Sequence, residues 1–130
     1  MSNPRSTVEM KKKVLREEDL RIPKTINATL KGTAGPADGV NVTLTDSVTV
    51  VGRGEAATIR IDDHAMSRMH FQIAYRNLEF RIRDLDSANG TILNGSEVDE
   101  YALRNGDRIS AGDSQLEFTV ARKPKPAPAS

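Results

Sequence analysis

Three polar segments interrupt a chain that otherwise alternates between apolar and polar residues, and they hold the residue types that could do chemistry. The first is Gly52–Thr58, which begins Gly-Arg-Gly; the second is Asp62–His70, which ends Ser-Arg-Met-His; the third is Asp84–Asn94, which contains Ser-Ala-Asn-Gly-Thr. Serine with histidine could form a hydrolytic site, two histidines could bind a metal, and a glycine-flanked arginine could hold an anion. Each possibility makes a different demand on the rest of the sequence.

A hydrolytic site is poorly supported. Ser67 and His70 could combine with Asp62 or Asp63 as nucleophile, base and orienting carboxylate. Neither a nucleophile elbow nor an oxyanion-hole motif accompanies Ser67. We therefore expect that the protein is not an enzyme and has no catalytic residues.

A metal site and a nucleotide-binding loop are also disfavoured. His64 and His70 are the only histidines, no third ligand is evident beside them, and the chain contains no cysteine. The Gly52-Arg53-Gly54 sequence is followed neither by Gly-Lys-Ser/Thr nor by a helix pattern, both of which a phosphate loop of that kind needs. We expect no metal and no cofactor.

The segments that must position these loops read as short strands. Apolar residues recur at every second position over 26–30, 40–44, 48–50, 59–61, 71–75, 78–82 and 116–120. A period of two is typical of strands with one buried face. Turn sequences such as Asn94-Gly95 separate the strands, and Arg76-Asn77 is predicted to turn one hairpin. No helical segment long enough for a crossover lies between them, so the pattern favours a β-sandwich or a barrel.

The near-zero net charge of the chain hides three differently charged parts. Residues 1–24 hold seven basic and four acidic residues, residues 122–130 add three basic ones, and residues 25–121 hold nine basic and fourteen acidic residues. Eight of those nine basic residues are arginines. An anion site in this acidic segment must therefore be local, and the acidic balance disfavours nucleic acid as a partner.

The composition predicts one folded domain between two tails. Residues 1–24 show no sustained pattern and are predicted to be a disordered tail; residues 25–121 form the domain; residues 122–130, rich in Pro and Ala, form an unpacked tail or linker. No apolar run approaches the ~18 residues of a membrane span, and the first residues lack a signal-peptide pattern. We expect a cytoplasmic protein that does not bind membranes.

Taken in order, the motifs resemble those of the forkhead-associated (FHA) domain family. They are Gly-Arg at 52–53, Ser-x-x-His at 67–70, Asp-Leu-x-Ser-x-Asn-Gly-Thr-x-x-Asn-Gly at 84–95 and Leu-x-x-Gly-Asp-x-Ile at 103–109. The resemblance covers residues 26–121. It implies an all-β fold, an eleven-stranded β-sandwich of two sheets, whose loops at one end bind phosphothreonine peptides.

The resemblance also implies a role for each motif residue. It assigns the phosphate to Arg53, to Arg68 and to the hydroxyl and backbone N–H of Ser67. It assigns the peptide backbone beside the phosphothreonine to Asn89, whose amide can donate and accept at once. It implies that His70 supports the serine-bearing loop from inside and that Asn94 ties down or turns the third loop. The residues expected to support the site structurally are Gly52, His70, Ser87, Gly90, Thr91 and Asn94.

One position departs from the family pattern. Ala88 stands where some members carry a serine or threonine that also contacts the phosphate. The missing hydroxyl removes one hydrogen bond, worth about 1 kcal/mol. Ser87 is the nearest hydroxyl, and we expect it to face inward.

The function implied by the resemblance is that of a phosphothreonine-dependent adaptor module downstream of a Ser/Thr kinase. Its partner would be a phosphothreonine-containing protein, either the kinase or one of its substrates, bound by a monomer. Two alternatives remain open. The domain could bind its own tail phosphorylated at Thr7, as a regulatory switch, or it could be a scaffold module that ignores phosphate.

Overall fold

The computed structural model describes residues 20–122. These residues form eleven strands and one 3₁₀ turn, Gly35–Ala37. The strands are β1 (Ile26–Ala34), β2 (Asn41–Leu44), β3 (Val48–Gly52), β4 (Ile59–Arg60), β5 (Phe71–Arg76), β6 (Glu79–Asp84), β7 (Thr91–Leu93), β8 (Ser96–Val98), β9 (Glu100–Leu103), β10 (Asp107–Ala111) and β11 (Ser114–Arg122).

The strands form two sheets that pack face to face. One sheet has the order β2-β1-β11-β10-β7-β8, and the other has the order β4-β3-β5-β6-β9. β3 and β4 run parallel to each other, whereas the other pairs are antiparallel. The predicted eleven-stranded sandwich is therefore confirmed.

The core between the sheets is mainly aliphatic, but aromatic rings join the two sheets. Phe80 of β6 packs on Tyr75 of β5 with ring centroids 4.9 Å apart, and on Phe118 of β11 with centroids 5.2 Å apart. Phe80 and Phe118 are buried in opposite sheets. Burial of a side chain of this size contributes about 1.5–3 kcal/mol to the free energy of unfolding, so these contacts stabilise the packing of one sheet on the other.

The apolar pattern is misleading at β3. Alternation of Val48 and Val50 predicts that these two side chains face the core, yet Val48 is 47% exposed and the buried residues are Thr49 and Val51. The sequence Val-Thr-Val-Val fits either register, and pairing with β5, which places Val51 opposite Phe71, decides between them.

The hairpin between β5 and β6 turns one residue later than predicted. Arg76 pairs with Glu79, so the two turn residues are Asn77 and Leu78, with φ of 53° and 66°. Positive φ at both central residues fits a type I′ turn, whose twist matches the flanking strands. Leu78 is thus a turn residue, 69% exposed, and does not begin the strand.

The packed part of the chain begins before residue 25. The Ile22 side chain is 7% exposed, its N–H donates to the Thr45 carbonyl at 2.7 Å, and the Ser47 N–H donates to the Leu20 carbonyl at 2.8 Å. Residues 20–24 therefore pack on the domain, although their sequence resembles that of the preceding tail. Residues 1–19, which include Thr7, and residues 123–130 lie outside the described residues.

The sheet order brings the three polar segments together. β3 leads into the first, β5 follows the second and β6 leads into the third, and these three strands are adjacent and antiparallel. Their loops therefore emerge at one end of the sandwich, with neighbouring strands about 4.8 Å apart.

No helix among residues 20–122 has the length and apolarity needed to cross a membrane.

Candidate functional site

Three neighbouring loops form the candidate site. The first loop is Gly52–Thr58, the second is Asp62–His70, and the third is Asp84–Gly90. The sequence pattern extends the third loop to Asn94, but residues 91–93 form β7. Backbone and side-chain hydrogen bonds tie each loop to the next, and they involve most of the motif residues.

The glycines around Arg53 allow the second loop to pass very close to the first. A Cβ atom on Gly52 would lie 2.0 Å from the Arg68 carbonyl oxygen, and one on Gly54 would lie 2.8 Å from the Arg68 Cβ. The Arg53 N–H donates to the Ser67 carbonyl at 3.1 Å, and the Gly54 N–H donates to the Arg68 carbonyl at 3.0 Å. The Gly-Arg-Gly sequence therefore serves backbone contact between the two loops.

The Arg53 side chain is held in place without being neutralised. Its Nε donates to the Met66 carbonyl at 2.8 Å. Within residues 20–122 the salt bridges involve a single arginine, Arg81, which pairs with Glu79 and Glu100. Arg53 therefore keeps its charge and its two terminal nitrogens for an anionic ligand, while the Nε bond restricts the direction of the guanidinium.

His70 positions Ser67 and joins the second loop to the third. The ring is fully buried; its Nδ1 accepts the Ser67 N–H at 3.0 Å, and its Nε2 donates to the Gly90 carbonyl at 2.8 Å. These two partners require a neutral imidazole with the proton on Nε2. Because His70 takes the Ser67 N–H, that group is directed into the protein, contrary to the expectation that it faces a phosphate.

The Ser67 hydroxyl connects directly to the third loop. Ser67 Oγ accepts the Ala88 N–H at 2.9 Å. The hydroxyl proton is thus left to donate elsewhere, which suits an anion placed beside Arg53. The backbone of Ala88 makes this contact, so the absence of a hydroxyl on its side chain does not loosen the two loops.

Asn89 also bridges the second and third loops. Its Nδ2 donates to the Ala65 carbonyl at 2.8 Å, and the residue is exposed. This bond fixes the amide plane while leaving Oδ1 and one N–H of the amide for a ligand. Arg68 is exposed on the second loop, next to Ser67.

Asp84 organises the third loop, and it is absent from the residues assigned a role from the sequence. Its Oδ1 accepts from Ser87 Oγ at 2.5 Å and from Thr91 Oγ1 at 2.6 Å, and its Oδ2 accepts from the Ser87 N–H at 3.0 Å. Ser87 Oγ in turn accepts the Gly90 N–H at 2.9 Å. Ser87 and Thr91 thus point inward. The Asp84-x-x-Ser87 spacing, typical of a side chain that closes a turn on the backbone ahead of it, was the available signal.

Asp63 plays the corresponding role under the second loop. It is 1% exposed and accepts from the Ala65 N–H at 2.9 Å, the Asp113 N–H at 2.9 Å and Ser114 Oγ at 2.7 Å. The last two partners lie about fifty residues away, on the turn between β10 and β11 and at the first residue of β11. No local sequence signal distinguishes this aspartate from Asp62.

Two other predicted support residues lie in different places. Gly90 has φ of +83° and closes the third loop, where an added Cβ would lie 2.8 Å from Glu97 Oε2. Asn94 lies outside the loop cluster, at the turn between β7 and β8, where it donates to Asp107 Oδ1 at 3.0 Å and accepts the Arg108 N–H at 2.9 Å. It orders a hairpin and does not hold the third loop.

The carboxylates of Asp63 and Asp84 should make the stability of the domain sensitive to acid. Burial opposes ionisation of Asp84, but the hydrogen bonds from Ser87 and Thr91 outweigh it and lower its pKa below the usual 3.8. For Asp63, burial is likewise outweighed by the bonds from Ser114, Ala65 and Asp113, so its pKa is also lowered from 3.8. Both carboxyl groups therefore have a lower pKa in the folded protein than in the unfolded chain. Their contribution to the free energy of unfolding is complete at a pH above the unfolded pKa, and it is lost as the pH falls through the folded pKa.

We therefore predict that Asp84→Asn lowers the free energy of unfolding at pH 7 by about 1–3 kcal/mol and flattens its decline below pH 4. The amide places an N–H donor against either the Ser87 N–H or the two hydroxyls. Urea unfolding between pH 7 and pH 3 measures both effects, with Asp38→Asn at an exposed position as the matched control. Parallel pH curves for wild type and Asp84→Asn would contradict the assignment.

The arrangement can bind an anion. Arg53, Ser67 and Asn89 present a guanidinium, a hydroxyl and an amide from three loops held together by their own hydrogen bonds. The ring nitrogens of His70 are both used internally, which leaves it without a free nitrogen to activate Ser67. Among residues 20–122, no group of three His, Cys, Asp or Glu is placed to hold a metal ion.

Comparison with known proteins agrees with this picture. The family model of the FHA domain matches residues 49–112. The glycogen accumulation regulator GarA of Mycobacterium tuberculosis is 36% identical over 89 residues, which are 68% of this chain and 55% of GarA. The oxoglutarate dehydrogenase inhibitor of Corynebacterium efficiens is 33% identical over 84 residues, 65% of this chain and 59% of the inhibitor.

A solved FHA domain, studied for its phosphothreonine-dependent interactions, superposes with a TM-score of 0.66 at 31% identity. The match covers 72% of this chain and 95% of that domain. The fold and its three bonded loops thus define an all-β recognition module. The chain belongs to the forkhead-associated domain family. It spans slightly more than half the length of the curated relatives it matches, and these relatives are named as a regulator and an inhibitor.

Proposed function

We propose that the protein is a phosphothreonine-dependent binding module that links a Ser/Thr kinase to a regulated partner. The observation that carries the proposal is the Arg53 guanidinium, oriented by its Nε bond to the Met66 carbonyl, on a loop whose backbone bonds directly to that of Ser67. A phosphate brings about −1.5 to −2 charges, and a guanidinium can bind it with two charge-assisted hydrogen bonds. In a domain that is acidic overall, this local donor set supplies the attraction.

The other motif residues complete the proposed site. Arg68 adds a second positive charge, and Asn89 takes the peptide backbone with the amide groups that Ala65 does not use. The relatives named as a regulator and an inhibitor support a role in which binding controls another protein. The partner is proposed to be a phosphorylated kinase or one of its substrates.

Calorimetric titration with one peptide carrying phosphothreonine, phosphoserine or unmodified threonine tests the proposal. We expect measurable binding of the phosphothreonine form and none of the unmodified form. Selection from an oriented phosphothreonine library then gives the sequence preference. If a partner protein binds equally well before and after phosphatase treatment, the function is instead that of a phosphate-independent scaffold.

We propose as a second candidate that the module binds its own tail when Thr7 is phosphorylated. The Leu20 carbonyl accepts a hydrogen bond from the Ser47 N–H, and Ser47 directly precedes β3. From there the five residues of β3 span about 17 Å to the first loop. The segment from Thr7 to Leu20 can extend about 43 Å, so its length allows Thr7 to reach Arg53.

Phosphorylation of Thr7 is then expected to lower the affinity for an added phosphothreonine peptide at least about tenfold, because an attached ligand competes at high effective concentration. Titration of the phosphorylated full chain, compared with Thr7→Ala after the same kinase treatment, measures the change. Unaltered affinity of the phosphorylated chain would rule out the switch and leave the adaptor function standing.

A further inference from the structure

We propose that Arg60 is a specificity residue, which selects peptides with an acidic or phosphorylated residue on one flank of the phosphothreonine. The proposal rests on the proposed phosphothreonine-dependent function and adds a second, separate anion contact to it. It comes from the position of Arg60 on the edge strand β4, outside the motif residues.

Arg60 is anchored to the phosphate-binding loop itself. Its Nε donates to the Arg53 carbonyl at 3.1 Å, and the parallel pairing of β3 with β4 sets Arg60 opposite Gly52. This bond holds the guanidinium of Arg60 against the first loop. Its two terminal nitrogens remain as donors, in the same planar arrangement that suits a carboxylate or a phosphate.

Arg60 forms no salt bridge within the described residues. The acidic residues nearest to it in sequence are Asp62 and Asp63 on one side and Glu55 on the other, and none of them forms a salt bridge with it among residues 20–122. Arg81 differs, because its guanidinium bonds Glu100 at 2.8 Å and Glu79 at 3.4 Å. Arg60 is also exposed, so a ligand carboxylate can reach it without a large cost of burial.

The sheet order tells which side of the site Arg60 occupies. The strands that carry the site are adjacent in the order β4, β3, β5, β6. Arg60 lies on β4, Arg53 follows β3, Ser67 precedes β5, and Asn89 follows β6. Arg60 and Asn89 therefore flank the phosphate-binding pair on opposite sides.

The order of the strands determines which residue of a bound peptide lies near Arg60. One strand spacing of about 4.8 Å separates the backbone of β4, which carries Arg60, from that of β3, which leads to Arg53. An extended peptide advances about 3.3 Å per residue. With the phosphothreonine between Arg53 and Ser67, the residue that meets Arg60 is about two or three positions away, on the flank remote from Asn89.

Titration of the full chain with a set of phosphothreonine peptides tests the proposal. A neutral reference peptide is compared with peptides that each carry one aspartate, placed in turn at each of the four positions before the phosphothreonine and each of the four positions after it. A further peptide carries a phosphoserine at the position where aspartate raises the affinity most. We expect aspartate to raise the affinity about threefold at positions on one flank, and phosphoserine to raise it about tenfold. In Arg60→Gln the ratio of acidic to neutral affinity should fall to about one.

Arg76→Gln is the matched control, because it removes an exposed arginine at the opposite end of β5 and should keep the preference. A nitroxide on the preferred flank should broaden NMR signals of β4 more than those of the third loop. A preference that survives in Arg60→Gln, or the absence of any preference, would overturn the role of Arg60 while leaving phosphothreonine binding intact. Failure of the wild type to bind even the neutral phosphothreonine peptide would instead refute the proposed function, and the role of Arg60 with it.

Discussion

Replacing Arg53 by alanine is expected to weaken binding of a phosphothreonine peptide at least about 100-fold and to leave the domain folded. A hydrogen bond to a charged group contributes about 1.5–3 kcal/mol, and Arg53 can make two of them to one phosphate. Losing both costs at least about 3 kcal/mol, which is two orders of magnitude in affinity. The fold should survive because Arg53 is exposed and its side chain contributes a single described bond, to the Met66 carbonyl.

The comparison with Arg53→Lys and Arg76→Ala makes this result specific. Lysine keeps the charge but lacks the planar pair of donors and the Nε bond, so its affinity should fall between those of wild type and Arg53→Ala. Arg76→Ala removes an exposed arginine far from the loops and should bind like the wild type. Calorimetry gives the affinities and thermal unfolding monitors the fold; an Arg53→Ala protein that binds as tightly as wild type would exclude Arg53 from the site.

The fold and the neighbourhood of the motif residues could be predicted from the sequence because both depend on short-range patterns. Alternating apolar residues indicate strands, and Gly-Arg, Ser-x-x-His and Asn-Gly-Thr mark the loops that join them. The family resemblance orders these pieces around one end of a sandwich. The structure brings Arg53, Ser67 and Asn89 together there, in loops that bond to one another.

The hydrogen bonds that support the loops were harder to predict from the sequence, because the residues they join are distant in sequence. Asp63 bonds Asp113 and Ser114, where the turn after β10 meets β11, about fifty positions away, and no local pattern marks that contact. His70 accepts the Ser67 N–H, which the motif alone assigns to a ligand. At β3 the sequence Val-Thr-Val-Val fits two registers, and contact with β5 chooses the one that buries Thr49.

These internal contacts explain how an acidic domain can hold an anion site. The carboxylates of Asp63 and Asp84 lie beneath the loops, and their hydrogen bonds go to backbone N–H groups and hydroxyls, so they do not neutralise Arg53 or Arg68. The loops are held in shape by negative charge facing inward, while the guanidinium of Arg53 remains uncompensated within the described residues. Because these carboxylates and the Arg53 guanidinium have different partners, the site does not require a basic overall composition.

Replacing Gly52 by alanine is expected to lower the free energy of unfolding by about 3 kcal/mol or more and to impair phosphopeptide binding in the protein that remains folded. The added Cβ would lie 2.0 Å from the Arg68 carbonyl oxygen and 2.9 Å from that of Ser67, and both obstacles are backbone atoms. The second loop must therefore move away from the first. That movement breaks the bonds from the Arg53 and Gly54 N–H groups to the same two carbonyls.

Gly39→Ala separates this steric effect from the general cost of replacing a glycine. Gly39 has φ of +96° and open space around its Cα, so alanine there meets backbone strain of about 1–2 kcal/mol and no collision. Gly52 presents the opposite case, a collision without positive φ. Urea unfolding ranks the two variants, and calorimetry at a temperature where both are folded compares their affinities. If Gly52→Ala unfolds like Gly39→Ala and binds like wild type, then the close contact between the first and second loops does not hold Arg53 and Ser67 in their binding arrangement.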